Sequence, residues 1–153
     1  MKIFYGKCSS EPNGVVWTNG CYDILHIGHV RLFEYCRKIA EERGCSFCVG
    51  IDSDRRVNEL KGSDRPINNE NTRVEFLLSI KGIDRVYIYD TADELEELIR
   101  VLNPVVMVIG EEYKDKPVIG SAHANSIQFF QKVHGYSTSK IIMKGYCENF
   151  KTE

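Results

Sequence analysis

The stretch with the greatest capacity for chemistry in this 153-residue chain is Thr18-Asn19-Gly20-Cys21-Tyr22-Asp23-Ile24-Leu25-His26-Ile27-Gly28-His29. Two imidazoles three residues apart share one face where a helix begins. The glycine between them lets a ligand approach the backbone closely. Unpaired N–H groups at a helix start, with the positive end of the dipole, form an anion site. Two ring N–H groups beside such a site can donate to phosphate oxygens, which suits phosphoryl transfer better than acyl transfer. Residue types leave two other readings open. The histidines can be structural, or they can ligate zinc. A zinc site needs three or four ligands, and His123 and His134 stand in no pattern with the first pair.

The surrounding pattern places this segment at a strand's carboxyl end. Val15-Val16-Trp17 is a short β-rich run that ends at Thr18-Asn19-Gly20. From about Gly28 to Arg43, Val30, Phe33, Cys36, Ile39 and Ala40 recur at three- and four-residue spacing, which predicts an amphipathic helix stopped by Gly44. Phe47–Ile51 reads as the second strand and Asp54–Leu60 as a short helix. Lys61 to Asn71 is polar with Gly and Pro, so it reads as a loop before a helix over Thr72–Ile80. Arg85–Tyr89 is the third strand. Thr91 caps a helix to Leu102, with Glu94 as its capping-box partner and Pro104 as its terminator. Val105–Ile109 is wholly apolar, as expected of a strand covered on both faces. Glu111–Asn125 is irregular, Ile127–Val133 a weaker strand and Ser137–Lys144 a capped terminal helix.

Strands alternating with helices imply βαβ units: an α/β, Rossmann-like, doubly wound, mostly parallel sheet in a single domain. Residues 1–13 read as an N-terminal extension and 14–145 as the core. Ligands of such sheets bind beyond the strands' carboxyl ends. The loops at Asn19–His29, Asp52–Lys61 and Gly110–Tyr113 all follow strands and are expected to converge there.

Composition limits the classes of function. Lys and Arg number 20 against 22 Asp and Glu, a net charge of −2, which excludes a nucleic-acid binder held mainly by phosphate neutralisation. Hydrophobic residues at 42% and charged residues at 27% describe a folded globular chain rather than a disordered one. No run approaches the roughly 18 apolar residues of a membrane span, and no signal peptide is evident. A cytoplasmic location is therefore expected, and with it reduced thiols at Cys8, Cys21, Cys36, Cys45, Cys48 and Cys147. Cys45 and Cys48 spell CxxC on a strand, where i and i+3 point to opposite faces and cannot share a metal.

The Thr18–His29 segment resembles the HxGH signature of the nucleotidyltransferase superfamily, of cytidylyltransferase-like type, and the likeness runs from about Val15 to Lys144. It continues through Asp52-Ser53-Asp54, Leu60-Lys61-Gly62, Arg65-Pro66 and Arg73. Beyond these come Gly110-Glu111-Glu112-Tyr113-Lys114, Gly120-Ser121, Ser137-Thr138-Ser139 and Ile141-Ile142. Within the sugar-phosphate branch, the chain is most similar to heptose 1-phosphate adenylyltransferases of ADP-heptose synthesis, and next to glycerol-3-phosphate cytidylyltransferases. No single piece is specific, but their order and spacing together are.

The resemblance implies transfer of a nucleoside monophosphate from an NTP, ATP first, to a phosphorylated small molecule, with Mg²⁺ bound to the NTP and pyrophosphate released. A CTP-dependent enzyme acting on glycerol 3-phosphate or another alcohol phosphate is the alternative, and a non-catalytic nucleotide-binding module a third reading. It implies His26, His29 and Lys61 as the catalytic set. Nucleotide binding falls to Thr18, Asn19, Asp23, Gly28, Arg73, Gly110, Glu112, Tyr113, Ser137 and Thr138, and acceptor binding to Asp52, Asp54, Arg65 and Lys132. Asp23 either orients the turn or helps position Mg²⁺. Plainer readings stand beside these: a surface lysine for Lys61, a salt bridge to Glu70 or Glu75 for Arg73, and a helix cap for Ser137. Lys132 stands where the cytidylyltransferase branch carries arginine, so the charge is kept without the bidentate fork. A homodimer with no nucleic-acid or membrane partner is also implied.

Overall fold

In a computed structural model that describes residues 2–6 and 13–149, the alternating runs fold into a six-stranded sheet covered on both faces by helices. The strands are β1 (Lys2–Tyr5), β2 (Val15–Gly20), β3 (Ser46–Asp52), β4 (Arg85–Tyr89), β5 (Val106–Gly110) and β6 (Ile127–Phe130). The helices are α1 (Ile27–Arg43), α2 (Asp54–Lys61), α3 (Glu70–Ser79), α4 (Ala92–Leu102) and α5 (Thr138–Asn149). Strand order is β1-β4-β3-β2-β5-β6, parallel except for β1, which runs antiparallel to β4. From β2 the chain winds out through β3 and β4, then returns to β5 and β6 on the other side. The order therefore reverses at β2, where a parallel sheet opens its binding crevice.

Side-chain alternation along the strands divides the core in two. Val16, Phe47, Val49 and Val86 face α1 and α3, packing on Phe33, Cys36, Ile39 and Leu77. Val15, Trp17, Cys48 and Tyr87 face α4, packing on Leu95, Leu98 and Ile99. Cys45 packs on the first cluster and Cys48 belongs to the second, so the CxxC thiols lie on opposite faces as their spacing requires. Cys8 lies outside the described residues.

Local chemistry sets the boundaries. Gly44 adopts φ 65° and closes α1, its N–H donating to the carbonyls of Ala40 and Glu41. Thr91 accepts from Glu94 N at the start of α4, but the Glu94 carboxylate takes the Asp90 N–H at 2.7 Å rather than that of its capping partner. Helix α3 begins at Glu70, before the expected Thr72, because Asn69 Oδ1 accepts from Thr72 N at 2.9 Å and caps it there. Strand β6 stops at Phe130 instead of reaching Val133. Its one neighbour, β5, ends at Gly110 opposite Phe130, and pairing runs out. Residues 2–5, read as extension, form the edge strand β1 instead, with Lys2 Nζ donating to Glu70 at 3.0 Å. No helix among the described residues is long and apolar enough to cross a membrane.

Candidate active site

A cleft of about 640 Å³ opens at the carboxyl ends of β2, β3, β4, β5 and β6, within the size range of small-molecule sites. Its centre is the start of α1. His26 is the N-cap, with extended backbone at φ −137° and ψ 176°, and its Nδ1 accepts the Gly28 N–H at 3.1 Å. His29 answers three residues on, its Nδ1 accepting the His26 N–H at 3.3 Å. The pair forms a capping box made of imidazoles, a role usually filled by Ser or Thr with Glu or Gln. The rings stack with centroids 3.8 Å apart and planes at 23°.

This cap fixes the tautomers. A nitrogen that accepts a backbone N–H carries no proton, so both neutral rings hold theirs on Nε2. Burial lowers the pKa of His29 to about 4, assisted by the nearby charges of His26 and Lys61. His26 moves the same way, through burial and then Lys132. At neutral pH the cleft thus holds two uncharged imidazoles, each with an Nε2–H donor.

Gly28 serves this geometry directly. A Cβ there would lie 2.8 Å from His26 Cε1 and 2.9 Å from its Nδ1, so a side chain at this position would push the capping ring away. Tyr22 supports His29 from the other side, edge to face at 5.2 Å, from a left-handed backbone with φ 48°.

Of the residues singled out in sequence, the cleft gathers Thr18, Asn19, His26, Gly28, His29, Asp52, Lys61, Gly110, Glu112, Tyr113, Lys132, Ser137 and Thr138. Lys61 and Lys132 make no hydrogen bond or ion pair with the described residues. Their charges reach His29 and His26 respectively. Thr18 is committed, donating from Oγ1 to Val108 O at 3.0 Å. Ser137 Oγ accepts from Lys140 N at 3.1 Å and caps α5, so the cap reading and a place in the cleft coexist. Thr138 Oγ1 donates to Ile24 O at 2.9 Å, tying the start of α5 to the histidine turn.

Four of the expected ligand residues lie outside the cleft. Arg73 is fully buried and spends its guanidinium on protein. It donates to Cys21 O and Asp52 O at 2.8 Å, Asn68 O at 3.0 Å and the Asp54 carboxylate at 2.8 Å. It is a scaffold that joins the ends of β2 and β3, not a phosphate fork, and its acidic partner is Asp54 rather than Glu70 or Glu75. Asp54 is thereby withdrawn from the acceptor as well. Asp23 is 1% exposed. Its Oδ2 accepts from Arg65 Nε at 2.9 Å and Ile67 N at 2.8 Å, and its Oδ1 from Asn68 N at 2.8 Å. Burial pushes the Asp23 carboxyl up, but the N–H groups of Asn68 and Ile67 and the Arg65 guanidinium outweigh it and hold it below its ordinary value. Asp23 and Arg65 therefore clamp the 62–69 loop to the histidine turn. Asp23 orients that turn, and its buried carboxylate faces these donors rather than the cleft.

Arg56 lines the cleft and was not legible as a site residue. One signal pointed to it: on a helix after Asp52, position 56 returns to the aspartate's side, one turn before Leu60 and Lys61. Among the described residues no three His, Cys, Asp or Glu side chains gather as a metal cage. The donor set fits a cation that arrives bound to phosphate oxygens, the usual manner of Mg²⁺ in nucleotide sites.

A cytidylyltransferase-like family model matches residues 17–144. Curated relatives named "Bifunctional protein HldE" are similar across most of the chain. The protein from a Nitratiruptor species is 43% identical over 128 residues, 84% of this chain and 27% of its own length. That from Campylobacter fetus subsp. fetus is 40% identical over 130 residues, 85% of this chain and 27% of its own. A third, from Koribacter versatilis, is 40% identical over 136 residues, 86% of this chain and 27% of its own. The chain thus spans about a quarter of the length of the curated relatives it matches.

Proposed function

The chain belongs to the cytidylyltransferase-like family, and on that premise we propose that it is a nucleotidyltransferase that moves AMP from ATP to a heptose 1-phosphate-like sugar phosphate, releasing pyrophosphate. The observation that carries this reading is the stacked histidine pair, with both Nε2–H donors fixed at the start of α1 in a cleft that Lys61 and Lys132 also line. The likeness to proteins described as bifunctional fits a unit that performs one of two activities. Mg²⁺ bound to the ATP phosphates would supply part of the neutralisation of the triphosphate charge.

An oxygen of the acceptor phosphate attacks the α-phosphorus in line. A new P–O bond forms, the bond from the α-phosphorus to the bridging oxygen breaks, and pyrophosphate leaves with that electron pair. The nucleophile is already anionic, so no side chain needs to remove a proton. What the protein supplies is position and charge stabilisation. His26 and His29 donate from Nε2 to the oxygens on which charge grows. Because the rings begin uncharged, they enter a cleft with room for a polyanion without holding a fixed cation against Lys61 and Lys132. The lysines flank the pair and take the outer phosphate oxygens. The capped start of α5 at Ser137 and Thr138 offers backbone N–H groups to a further oxygen. Glu112 and Tyr113, at the end of β5, border the ribose and base. The protein acts in the cytoplasm as a homodimer, on small molecules alone.

The test is pyrophosphate release by the purified chain with Mg²⁺, each of the four NTPs and a panel of sugar and alcohol phosphates. ATP with an aldose 1-phosphate is expected to turn over fastest. Preference for CTP with glycerol 3-phosphate overturns the assignment of substrates. Tight nucleotide binding with no turnover on any pair identifies a non-catalytic module.

A further inference from the structure

One wall of the cleft carries a charge pair that the transfer chemistry does not use. Arg56 Nε donates to Asp52 Oδ1 at 2.8 Å, with the side chains 17% and 13% exposed. The guanidinium carbon sits 5.8 Å from the centroid of the Tyr89 ring. Tyr89 is itself 1% exposed and its hydroxyl accepts from Asn19 Nδ2 at 3.4 Å, while Asn19 Oδ1 takes the Trp17 Nε1–H at 3.0 Å. The Arg56 head is therefore held by an ion pair, a ring face and a buried polar chain behind that ring.

This holding uses one guanidinium edge only. Nη1 and Nη2 make no hydrogen bond with the described residues, nor are they among the buried side-chain atoms without a partner, and Arg56 lines the cleft. The second carboxylate oxygen of Asp52, which lines the same cleft, likewise accepts from no described group. The wall thus presents oriented donors beside an acceptor, with zero net charge. A second phosphate would meet the Asp52 carboxylate, whereas neighbouring hydroxyls satisfy both halves, each accepting from Arg56 or donating to Asp52. Leu95, Val118 and Ile119 supply apolar surface nearby for the C–H faces of a ring.

We propose that Arg56, held by Asp52 and Tyr89, is a specificity-determining residue that reads vicinal hydroxyls of the acceptor sugar. The proposal rests on the sugar-phosphate transferase reading and adds to it the part of the acceptor recognised on the α2 wall. Each of Lys61, Lys132 and the histidines is left to phosphate.

The test uses the full chain with ATP, Mg²⁺, heptose 1-phosphate and its mono-deoxy analogues. Wild type is expected to lose about 10- to 100-fold in kcat/KM on at least one deoxy analogue, the worth of a hydrogen bond to a charged group. Arg56→Met keeps the stem over Tyr89 and removes the donors. It is expected to lose about as much on the intact sugar, through the acceptor KM, and to erase the discrimination against that analogue. The KM for ATP stays within about two-fold, which a general distortion of the cleft would not allow. Asp52→Asn, which keeps the shape, provides the same readout if Arg56→Met folds poorly, and there too the discrimination shrinks. Discrimination that survives both substitutions overturns the proposal, as does an equal loss on every acceptor or a matching rise in the KM for ATP. Absence of turnover by wild type on any sugar phosphate overturns the transferase reading instead.

Discussion

Replacing His26 by Asn separates the two tasks this residue performs. As N-cap it accepts the Gly28 N–H through Nδ1, at 3.1 Å. As a site residue it offers Nε2–H to phosphate. Asparagine places an oxygen near the Nδ1 position and is among the preferred N-cap residues, so the cap survives. Nothing in the shorter side chain reaches where Nε2 stood. Loss of one transition-state donor costs about 10²–10³ in kcat, or roughly 2.7–4 kcal/mol. Stability of His26→Asn is therefore expected to stay within about 0.5 kcal/mol of wild type while kcat falls at least 100-fold. His26→Ala loses both tasks, and the lost cap adds about 1 kcal/mol of destabilisation, a drop of about 2–4 °C in Tm for a domain of this size. The assay pairs steady-state pyrophosphate release with thermal and urea unfolding of the three proteins. A His26→Asn enzyme within about five-fold of wild type in kcat would refute the donor role. An Asn variant as unstable as the Ala variant would refute the reciprocal cap.

Four further outcomes test the scaffold and the electrostatics. Arg73→Lys is expected to destabilise by about 3 kcal/mol or more, because three carbonyls and the Asp54 carboxylate lose the donor that the fully buried Arg73 shares among them; a normally stable variant with a raised KM for ATP would instead restore Arg73 to the phosphate site. Gly28→Ala is expected to cost at least about 10-fold in kcat, since the new Cβ would sit 2.8 Å from the His26 ring; unchanged kinetics would show that the ring position does not matter. His29, at about 4 rather than the ordinary 6.5, is protonated in the unfolded chain before the folded one. Its contribution to stability is thus full above about pH 6.5 and declines as pH falls towards 4, and His26 acts in the same direction. Urea midpoints across that range check the slope. Ring NMR of the ligand-free protein should show both histidines with the proton on Nε2, and a His29 titrating near 6.5 would contradict the geometry.

What could be read in advance followed local rules. The spacing of Phe33, Cys36, Ile39 and Ala40, the stop at Gly44, the Thr91 cap and the apolar Val105–Ile109 run each obey a short-range constraint, and each element formed within a residue or two. Those elements dictated a parallel sheet, and its topology brought His26, Lys61, Glu112, Lys132 and Ser137 to one edge. The misreadings share a cause. Arg73 and Asp23 sit in motif positions that the family resemblance assigns to ligands, while the plainer readings beside it, a salt bridge for Arg73 and turn orientation for Asp23, are the ones their partners match. Their burial and partners depend on where the 62–69 loop folds back, which no local pattern encodes. Arg56 carries no motif, only its place one helical turn after Asp52 on α2, and it joins the cleft wall when Tyr89 of β4 arrives beneath it. Strand β1 was likewise invisible, since four residues carry little periodicity and gain strand character only by pairing with β4.

The most direct test of nucleotidyl transfer through the histidine cleft is a ³¹P NMR measurement of where acceptor oxygen goes. The purified chain is given ATP, Mg²⁺ and heptose 1-phosphate labelled with ¹⁸O in its phosphate. The expected spectrum shows a nucleotide-sugar diphosphate with ¹⁸O bridging to the former α-phosphorus, and unlabelled pyrophosphate in equal amount. Formation of ADP with a doubly phosphorylated sugar would mean attack at the γ-phosphorus, and no new phosphorus signal at all would mean no transfer; either result contradicts nucleotidyl transfer.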